Sequence, residues 1–247
     1  MSKQHYLRSS RLRVIGGPNG SGESTILEQI NSKYDLGYYI NADDIERQLK
    51  SEKEIELAKY GIYDLTTKQF NSYLKNHTLV HKARGDGYLI DLELDKNTIL
   101  NPDNKSHSYE AAFLADIIRQ EVLKLGRKFA YETVMSHKSK VGFFEKTYMA
   151  GYKNYLYYIS TESPLINIER VKQRVQLGGH AVSKNKIESR YYKSLENLKS
   201  AIELTYRTFV FDNSGAKPIL ILEVLKGSDV TFYPNEIPHW VDKYLLE

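Results

Sequence analysis

A glycine-rich segment near the start of the chain limits the folds open to it more than any other feature. The segment runs from Gly17 to Thr25 and reads GPNGSGEST. A short apolar run, Leu12–Ile15, precedes it, and apolar residues at helical spacing follow it. Glycines let the backbone curl until successive N–H groups face inward, and the positive end of the following helix points at the same cavity. The segment therefore predicts a buried strand, an anion-binding loop and a helix in direct succession.

The segment matches the P-loop pattern G-x-x-x-x-G-K-[ST] at every fixed position except the lysine, where Glu23 stands. The strand and helix on either side favour a phosphate-binding loop over a glycine turn without a ligand. The hydroxyl group that follows the lysine position binds Mg²⁺ in such loops, which assigns the metal to Ser24; capping of the helix is its alternative role. The predicted ligands are ATP and Mg²⁺, and the predicted nucleotide-binding residues are Gly17, Asn19, Gly20, Ser21, Gly22, Glu23, Ser24 and Thr25.

Glu23 presents the wrong charge to a polyphosphate. The usual lysine holds the β- and γ-phosphates and stabilises charge during phosphoryl transfer, so a carboxylate in its place is expected to weaken binding strongly. Three explanations compete: an engineered change that silences a harmful enzyme, a natural loss of catalysis, and compensation by a cation from elsewhere in the chain. The first is favoured because the other fixed positions are intact. We therefore expect this form of the chain to be inactive or strongly impaired.

Strands and helices alternate along the rest of the chain. Further strands are predicted at residues 38–40, 129–134, 155–159, 209–211 and 219–225, and helices at 24–30, 45–49, 109–125, 143–149, 164–175 and 187–204. This alternation predicts an α/β fold, a three-layer P-loop kinase fold with a central, mainly parallel sheet of about five strands. We expect residues 1–247 to form a single domain, with an insertion of mixed structure at 51–106, after the second strand, and a lid at 176–190.

Composition excludes several kinds of function. The 247 residues include no cysteine, which rules out disulfides, thiolate zinc sites and a cysteine nucleophile, and which fits a reducing cytoplasm. No apolar run approaches the roughly 20 residues that span a bilayer, and the first residues lack the apolar stretch of a signal peptide. The net charge of +4 is spread along the chain rather than gathered into the basic patch of a nucleic-acid binder. A cytoplasmic protein without a membrane or nucleic-acid partner is expected.

Five segments together resemble the zeta toxin family of bacterial toxin–antitoxin kinases. The glycine loop alone is shared by many kinases, whereas the combination is much more specific and covers most of the chain outside residues 51–106 and the C-terminal end. The segments are Val14–Gly22, Ile40–Ile45, Tyr131–Val134, discontinuous matches between Asn167 and Tyr191, and Asp212–Ser214.

The resemblance implies transfer of the γ-phosphate of ATP to a hydroxyl group of a small acceptor. Nucleotide-activated amino sugars such as UDP-N-acetylglucosamine are the best-known acceptors of the family, and their phosphorylation blocks the synthesis of cell-wall precursors. In the family an antitoxin restrains the kinase by covering its ATP site. The resemblance therefore implies a toxic kinase with a cognate antitoxin as its partner.

Asp43 is the candidate general base. It stands at the predicted end of the second strand, and ligands of such sheets bind beyond the carboxyl ends of the strands. A carboxylate there is placed to take the proton of the acceptor hydroxyl, the role that the resemblance assigns to Asp43. The alternative is a helix N-cap, for which Asp44 is the better candidate.

Glu132 and Thr133 end the third predicted strand on the same rim, where they are candidates for binding the acceptor. Glu132 is suited to acceptor hydroxyl groups or a magnesium-bound water, and Thr133 to a hydrogen bond with the acceptor. A purely structural hydrogen bond is the alternative for both residues. His180, in the predicted lid, completes the set of candidate substrate-binding residues.

Arg170, Arg174 and Arg190 are the candidate catalytic cations. Arg170 and Arg174 are four residues apart and share one helix face, and Arg190 lies early in the next predicted helix. Arginines at a lid can clamp the oxygens of a transferring phosphate, and we expect one or two of the three to do so. Surface ion pairs with Glu169 or Glu188 are the alternative.

Two functions of other classes remain open. The first is a protein that keeps the nucleotide-site fold for binding only, which a lysine codon at position 23 of the natural gene would exclude. The second is a kinase of nucleic-acid ends, which a steep salt dependence of oligonucleotide binding would support.

Overall fold

The computed structural model describes residues 10–102, 108–179 and 181–247. The strands in these residues are β1 (Arg11–Gly16), β2 (Tyr38–Ile40), β3 (Glu54–Glu56), β4 (Glu93–Asp95), β5 (Thr98–Leu100), β6 (Phe129–Thr133), β7 (Lys153–Ser160), β8 (Arg207–Asp212), β9 (Ile219–Leu225) and β10 (Asp229–Phe232).

The helices of the same residues include one turn of 3₁₀-helix at Leu57–Tyr60 and a π-helical turn at Asp242–Leu246. The α-helices are α1 (Glu23–Asn31), α2 (Ala42–Ser51), α3 (Thr67–Asn76), α4 (Thr78–Gly85), α5 (Ser108–Lys124), α6 (Lys138–Met149), α7 (Pro164–Gln176), α8 (Lys184–Glu196), α9 (Leu198–Glu203) and α10 (His239–Val241). No described helix has the length and apolar character needed to cross a membrane.

The chain divides into two compact units. One, which we call the loop unit, consists of the chain up to residue 36 together with residues 130–247; the other, the inserted unit, consists of residues 37–129. The predicted boundaries of the insertion, 51–106, fall inside the second unit.

The loop unit is built on a sheet whose strands follow the order β10-β9-β8-β7-β1-β6. β1 pairs with β7 and β7 with β8 in parallel, whereas β9 and β10 continue the sheet in antiparallel pairings. Residues 156–159 of β7 are buried on both faces of the sheet, as expected for a central parallel strand covered by helices. The α/β class with a mostly parallel central sheet, predicted from the sequence, is confirmed.

The carboxyl ends of the central strands meet at one edge of this sheet. β1 ends at Gly16, and Ser160 at the end of β7 is in register with Asp212 at the end of β8. The N–H of Gly17 donates to the carbonyl of Thr133, the last residue of β6, over 3.2 Å. The segments that follow β1, β6, β7 and β8 therefore gather at this edge, the usual place for a ligand in an open α/β sheet.

The inserted unit has its own core of helices and a small sheet. α2 and α4 pack against α5, and β3, β5 and β4 form a three-stranded antiparallel sheet. The rings of Phe70 and Phe113 meet in the interior with centroids 6.2 Å apart. The described part of residues 51–106, for which mixed structure was predicted, includes two α-helices, the β4–β5 hairpin and one further strand.

One helix prediction was wrong and one strand was missed. The helix predicted at 187–204 is two helices, α8 and α9, separated at Asn197, whose side chain donates to the carbonyl of Met135 over 2.8 Å. The missed strand is β10, an edge strand of four exposed residues.

The hydroxyl groups of Tyr158 in β7 and Ser194 in α8 form a buried pair, with their oxygens 3.0 Å apart. Both residues are completely inaccessible to solvent, and burial raises the pKa of Tyr158, which keeps its hydroxyl protonated. We expect Tyr158→Phe and Ser194→Ala each to lower the free energy of unfolding by about 1–2 kcal/mol, because each leaves a buried hydroxyl unpaired. The double variant should lose less than the sum, as measured by chemical denaturation.

Tyr192→Phe is the matched control, because the side chain of Tyr192 lies exposed on the same helix. Strict additivity of the two core substitutions would contradict the expected coupling.

Candidate functional site

Residues 17–22 form a loop between the end of β1 and the start of α1. Gly22, the residue before the helix, has φ 102°, a left-handed conformation that favours glycine. Gly17 lies so close to the carbonyl of Ile159 that a side chain there would overlap it. The predicted strand, curled loop and helix are therefore present, and both glycines are required by the path of the backbone.

Side chains from three other elements hold this loop. The amide of Asn167 in α7 donates to the carbonyl of Asn19 over 2.8 Å, and the amide of Asn213, just after β8, donates to the carbonyl of Ser21 over 2.7 Å. The guanidinium of Arg190 in α8 donates to the side-chain oxygen of Asn19 over 3.3 Å. The carbonyls of Asn19 and Ser21 are thus satisfied from outside the loop, whereas the N–H of Ser21 donates to the carbonyl of Pro18 within it over 3.0 Å.

Asn167 and Asn213 were missed as loop-holding residues, although both lie in segments that carry the family resemblance. Asn167 is completely buried, one turn before the buried Val171 on the same face of α7. A carboxamide on the apolar face of an amphipathic helix needs a hydrogen-bond partner, so its position was the available signal. For Asn213 the signal was weaker, because its partner lies almost two hundred residues away in the sequence.

Glu23 is the first residue of α1, and its carboxyl group turns back toward the loop. The N–H of Gly22 donates to Oε2 of Glu23 over 3.1 Å. Part of the residue is accessible to solvent, but its carboxyl lies among protein atoms, and this burial raises the pKa to about 8. The backbone N–H of Glu23 itself opposes that rise in pKa, the negative charge of Glu132 adds to it, and the N–H of Gly22 opposes it again.

Ser21 contributes least to the pKa of Glu23. Its hydroxyl lowers that pKa slightly, yet its oxygen is buried and outside good hydrogen-bond geometry to any atom of the described residues. Ser24 and Thr25 follow in the first turn of α1 with exposed side chains. The N-cap of this helix is Gly22, so the capping alternative for Ser24 is not realised.

Glu132 and Thr133 lie at the end of β6, next to the loop, as predicted. Glu132 is half-buried, and its charge acts on Glu23. The carbonyl of Thr133 accepts the N–H of Gly17, and its hydroxyl accepts the N–H of Met135 over 3.3 Å. Thr133 thus has the structural hydrogen bonds that were its alternative role.

The three candidate arginines differ in their surroundings. Arg190 is half-buried, burial lowers its pKa, and no carboxylate of the described residues pairs with it. Arg170 donates from Nη2 to the carbonyl of Gly215 over 3.3 Å, while its buried Nη1 has no hydrogen-bond partner in the described chain. Arg174 is exposed farther along α7. The structure thus places Arg190 at the loop and leaves one N–H group of Arg170 without a partner among the described residues.

The expected ion-pair partner of Arg170 is engaged elsewhere. The carboxylate of Glu169 lies 3.7 Å from the ammonium of Lys172. His180, the last candidate of this unit, lies outside the described residues.

Asp43 belongs to the inserted unit, where it lies in the first turn of α2 with an exposed side chain. The N-cap of α2 is Asn41, whose side-chain oxygen accepts the N–H groups of Asp43 over 2.8 Å and Asp44 over 3.4 Å. The expectation that Asp43 or Asp44 caps this helix was therefore wrong, because Asn41 stands one position before it. Asp44 instead pairs with Arg47 over 3.0 Å, whereas the carboxylate of Asp43 is not used for capping.

A preformed metal cage is not present in the described residues, which contain no group of three or more His, Cys, Asp or Glu side chains placed to hold a metal ion. Magnesium ions in phosphoryl-transfer sites are usually held by one or two protein groups together with substrate phosphates. The exposed hydroxyl of Ser24 beside the loop fits that arrangement.

Comparison with known proteins gives a family match and a fold match. The family model for the zeta toxin matches residues 101–220, slightly less than half of the chain. The crystal structure of AvrRxo1-ORF1:AvrRxo1-ORF2 with sulphate ions matches with a TM-score of 0.52 and 14% identity, over 90% of this chain and 60% of that chain. This chain thus spans less than two thirds of the length of that protein, and the likeness confirms the fold class. No curated protein sequence matches the chain.

Two further structures are more distant. The AvrRxo1-ORF1:-ORF2 complex with ATP has a TM-score of 0.49 and 13% identity over 90% of this chain and 60% of that chain. The PezAT chromosomal toxin–antitoxin system of Streptococcus pneumoniae has a TM-score of 0.46 and 13% identity over 87% of this chain and 76% of that chain.

The amide of Asn213 offers a direct test of how the loop is held. Replacement by aspartate keeps the size of the side chain but sets an acceptor against the carbonyl of Ser21, which lies in a fully buried residue. We expect Asn213→Asp to lower the free energy of unfolding by about 1–3 kcal/mol in chemical denaturation. Asn235→Asp, at an exposed asparagine of the same unit, should leave it nearly unchanged. Equal effects of the two substitutions would refute the holding role.

Proposed function

We propose that the chain is a zeta-toxin-like phosphotransferase, which transfers the γ-phosphate of ATP to a hydroxyl group of a small acceptor. The observation that carries this proposal is the glycine loop between β1 and α1, whose carbonyl groups are held from outside at Asn19 and Ser21. Such a loop presents N–H groups at the start of a helix, the arrangement that binds phosphate. The zeta toxin family model, matched at residues 101–220, supports the same class of function from a different part of the chain.

Different groups of the loop unit have different roles in the proposed reaction. The backbone N–H groups of the loop and the start of α1 hold the phosphates, and the hydroxyl of Ser24 holds Mg²⁺. When bound, Mg²⁺ neutralises charge on the phosphate oxygens. Arg190, half-buried and without a carboxylate partner in the described chain, supplies positive charge at the loop, and Arg170 has one free N–H group to add. This assignment gives arginine part of the role that lysine has in the P-loop pattern.

The acceptor side of the proposal rests on carboxylates. Glu132 at the end of β6 orients the acceptor, and Asp43 takes the proton of its attacking hydroxyl. The proposed acceptor is a UDP-amino sugar such as UDP-N-acetylglucosamine, and the proposed partner is a cognate antitoxin protein that covers the ATP site. These assignments come from the family resemblance, and the exposed, non-capping carboxylate of Asp43 is compatible with them.

A second candidate function is a binding protein that has lost catalysis. The observation that favours it is Glu23, whose carboxyl group is turned into the loop in place of a cation. In either case we propose that this form of the chain binds ATP poorly and has little kinase activity.

Exchange of Glu23 for lysine distinguishes the two functions. Glu23→Lys replaces a carboxyl with the cation that the loop pattern requires, so we expect it to bind Mg-ATP at least about tenfold more tightly than the unaltered chain in titration calorimetry. With a metabolite extract and γ-labelled ATP, the same variant should form a labelled small-molecule product. Equal affinities of both forms, or restored binding without any product, would argue against the kinase proposal.

The base role of Asp43 is tested in the Glu23→Lys background. Asp43→Asn removes the proton acceptor but keeps the size of the side chain, so turnover should fall by roughly 10²–10⁴-fold while Mg-ATP affinity is retained. Asp44→Asn is the matched control, because Asp44 is its exposed neighbour in the same helix turn. Unchanged turnover of the Asp43 variant would remove it from the mechanism.

A further inference from the structure

The start of α1 lacks the usual side-chain cap. Its N-cap residue is Gly22, which has no side chain to accept the N–H groups that a helix leaves unpaired at its first turn. The carboxyl group of Glu23 accepts the N–H of Gly22 over 3.1 Å, and the N–H of Glu23 itself also acts on that carboxyl. These are the donors that a phosphate at a helix N-terminus uses.

The geometry points to an internal competitor, an inference that rests on the proposed function. We propose that the carboxyl group of Glu23 occupies the phosphate position of its own loop, where it competes with the phosphates of a nucleotide for the same N–H donors. Glu23 then does more than repel a polyanion from a distance, because its carboxyl group already accepts the N–H of Gly22. A phosphate group must displace this side chain before it can bind.

The binding test uses inorganic tripolyphosphate, which probes the loop without a nucleoside. Glu23→Ala removes both the charge and the acceptor, whereas Glu23→Gln removes the charge but keeps a carbonyl oxygen that can accept the N–H of Gly22. We expect the alanine variant to bind tripolyphosphate at least about tenfold more tightly than the unaltered chain, with glutamine in between.

Glu28→Ala is the matched control, because it removes the same charge from an exposed position on the same helix. It should gain much less affinity than Glu23→Ala. Equal gains for alanine and glutamine at position 23 would show that charge alone excludes phosphate, and would overturn the proposal.

A second measurement needs no ligand. The amide proton of Gly22 should exchange with solvent at similar rates in the unaltered chain and in Glu23→Gln, which keeps an acceptor, and faster in Glu23→Ala. Equal exchange rates in all three forms would overturn the internal contact.

The Glu23→Lys variant separates this inference from the proposed function. If that variant binds Mg-ATP while alanine and glutamine at position 23 behave alike, the nucleotide site stands and the internal competitor does not. If it fails to bind Mg-ATP while Glu23→Ala speeds the exchange of the Gly22 amide proton as expected, the internal contact stands and the kinase proposal fails.

Discussion

The site depends on which way the peptide groups of one short loop face. Each peptide carries one donor and one acceptor, and a loop that binds anions must turn its donors inward. Here the carboxamide of Asn167 donates to the carbonyl of Asn19, and the carboxamide of Asn213 donates to the carbonyl of Ser21. The crowding of Gly17 against the carbonyl of Ile159 restricts the loop further. The conformation of the loop is thus set by its surroundings as well as by its glycines.

The electrostatics of the same region are unusual for a phosphate site. Two carboxyl groups, Glu23 and Glu132, act on each other beside the loop, whereas Arg190 has its only described partner in the neutral side chain of Asn19. Desolvation lowers the pKa of Arg190 and raises that of Glu23, so each environment disfavours the charged form of its group. A bound polyphosphate would stabilise the charged form of Arg190 and would further destabilise the charged form of Glu23. The loop therefore combines features of a working site with one group that opposes it.

The sequence predicted the parts of the fold that depend on local pattern. The glycine loop, β2 at Tyr38–Ile40 and the α/β class were all found from apolar spacing and glycine positions. What it missed depends on contacts between distant segments: the roles of Asn167 and Asn213, and the interruption at Asn197, whose side chain bonds to Met135. The position of Asn167 on the apolar face of its helix signals that it needs a hydrogen-bond partner, but residue type and spacing do not identify the distant carbonyl that it bonds.

The same distinction between local sequence pattern and distant contacts applies to the roles of individual side chains. Arg170, Arg174 and Arg190 were all candidate cations in the sequence, and the structure shows Arg190 donating to the loop, because α8 passes beside Asn19. The cap of α2 was assigned to an aspartate, since two follow β2, but the asparagine before them has the extended backbone that a cap requires. Residue type identified the candidates in both cases, and backbone geometry selected among them.

The family match and the conformation of the glycine loop are independent observations that concern neighbouring parts of the fold. The zeta toxin family model covers residues 101–220 and therefore does not include the glycine segment at 17–25. The loop was identified from its own sequence and conformation, without help from that match. Yet the three side chains that hold the loop from outside, Asn167, Arg190 and Asn213, all lie within the matched residues. Because the two parts of the chain make direct contacts, the matched residues and the glycine loop form one region of the fold, where we propose the phosphate site, and Glu23 is the residue of that region that departs from the P-loop pattern.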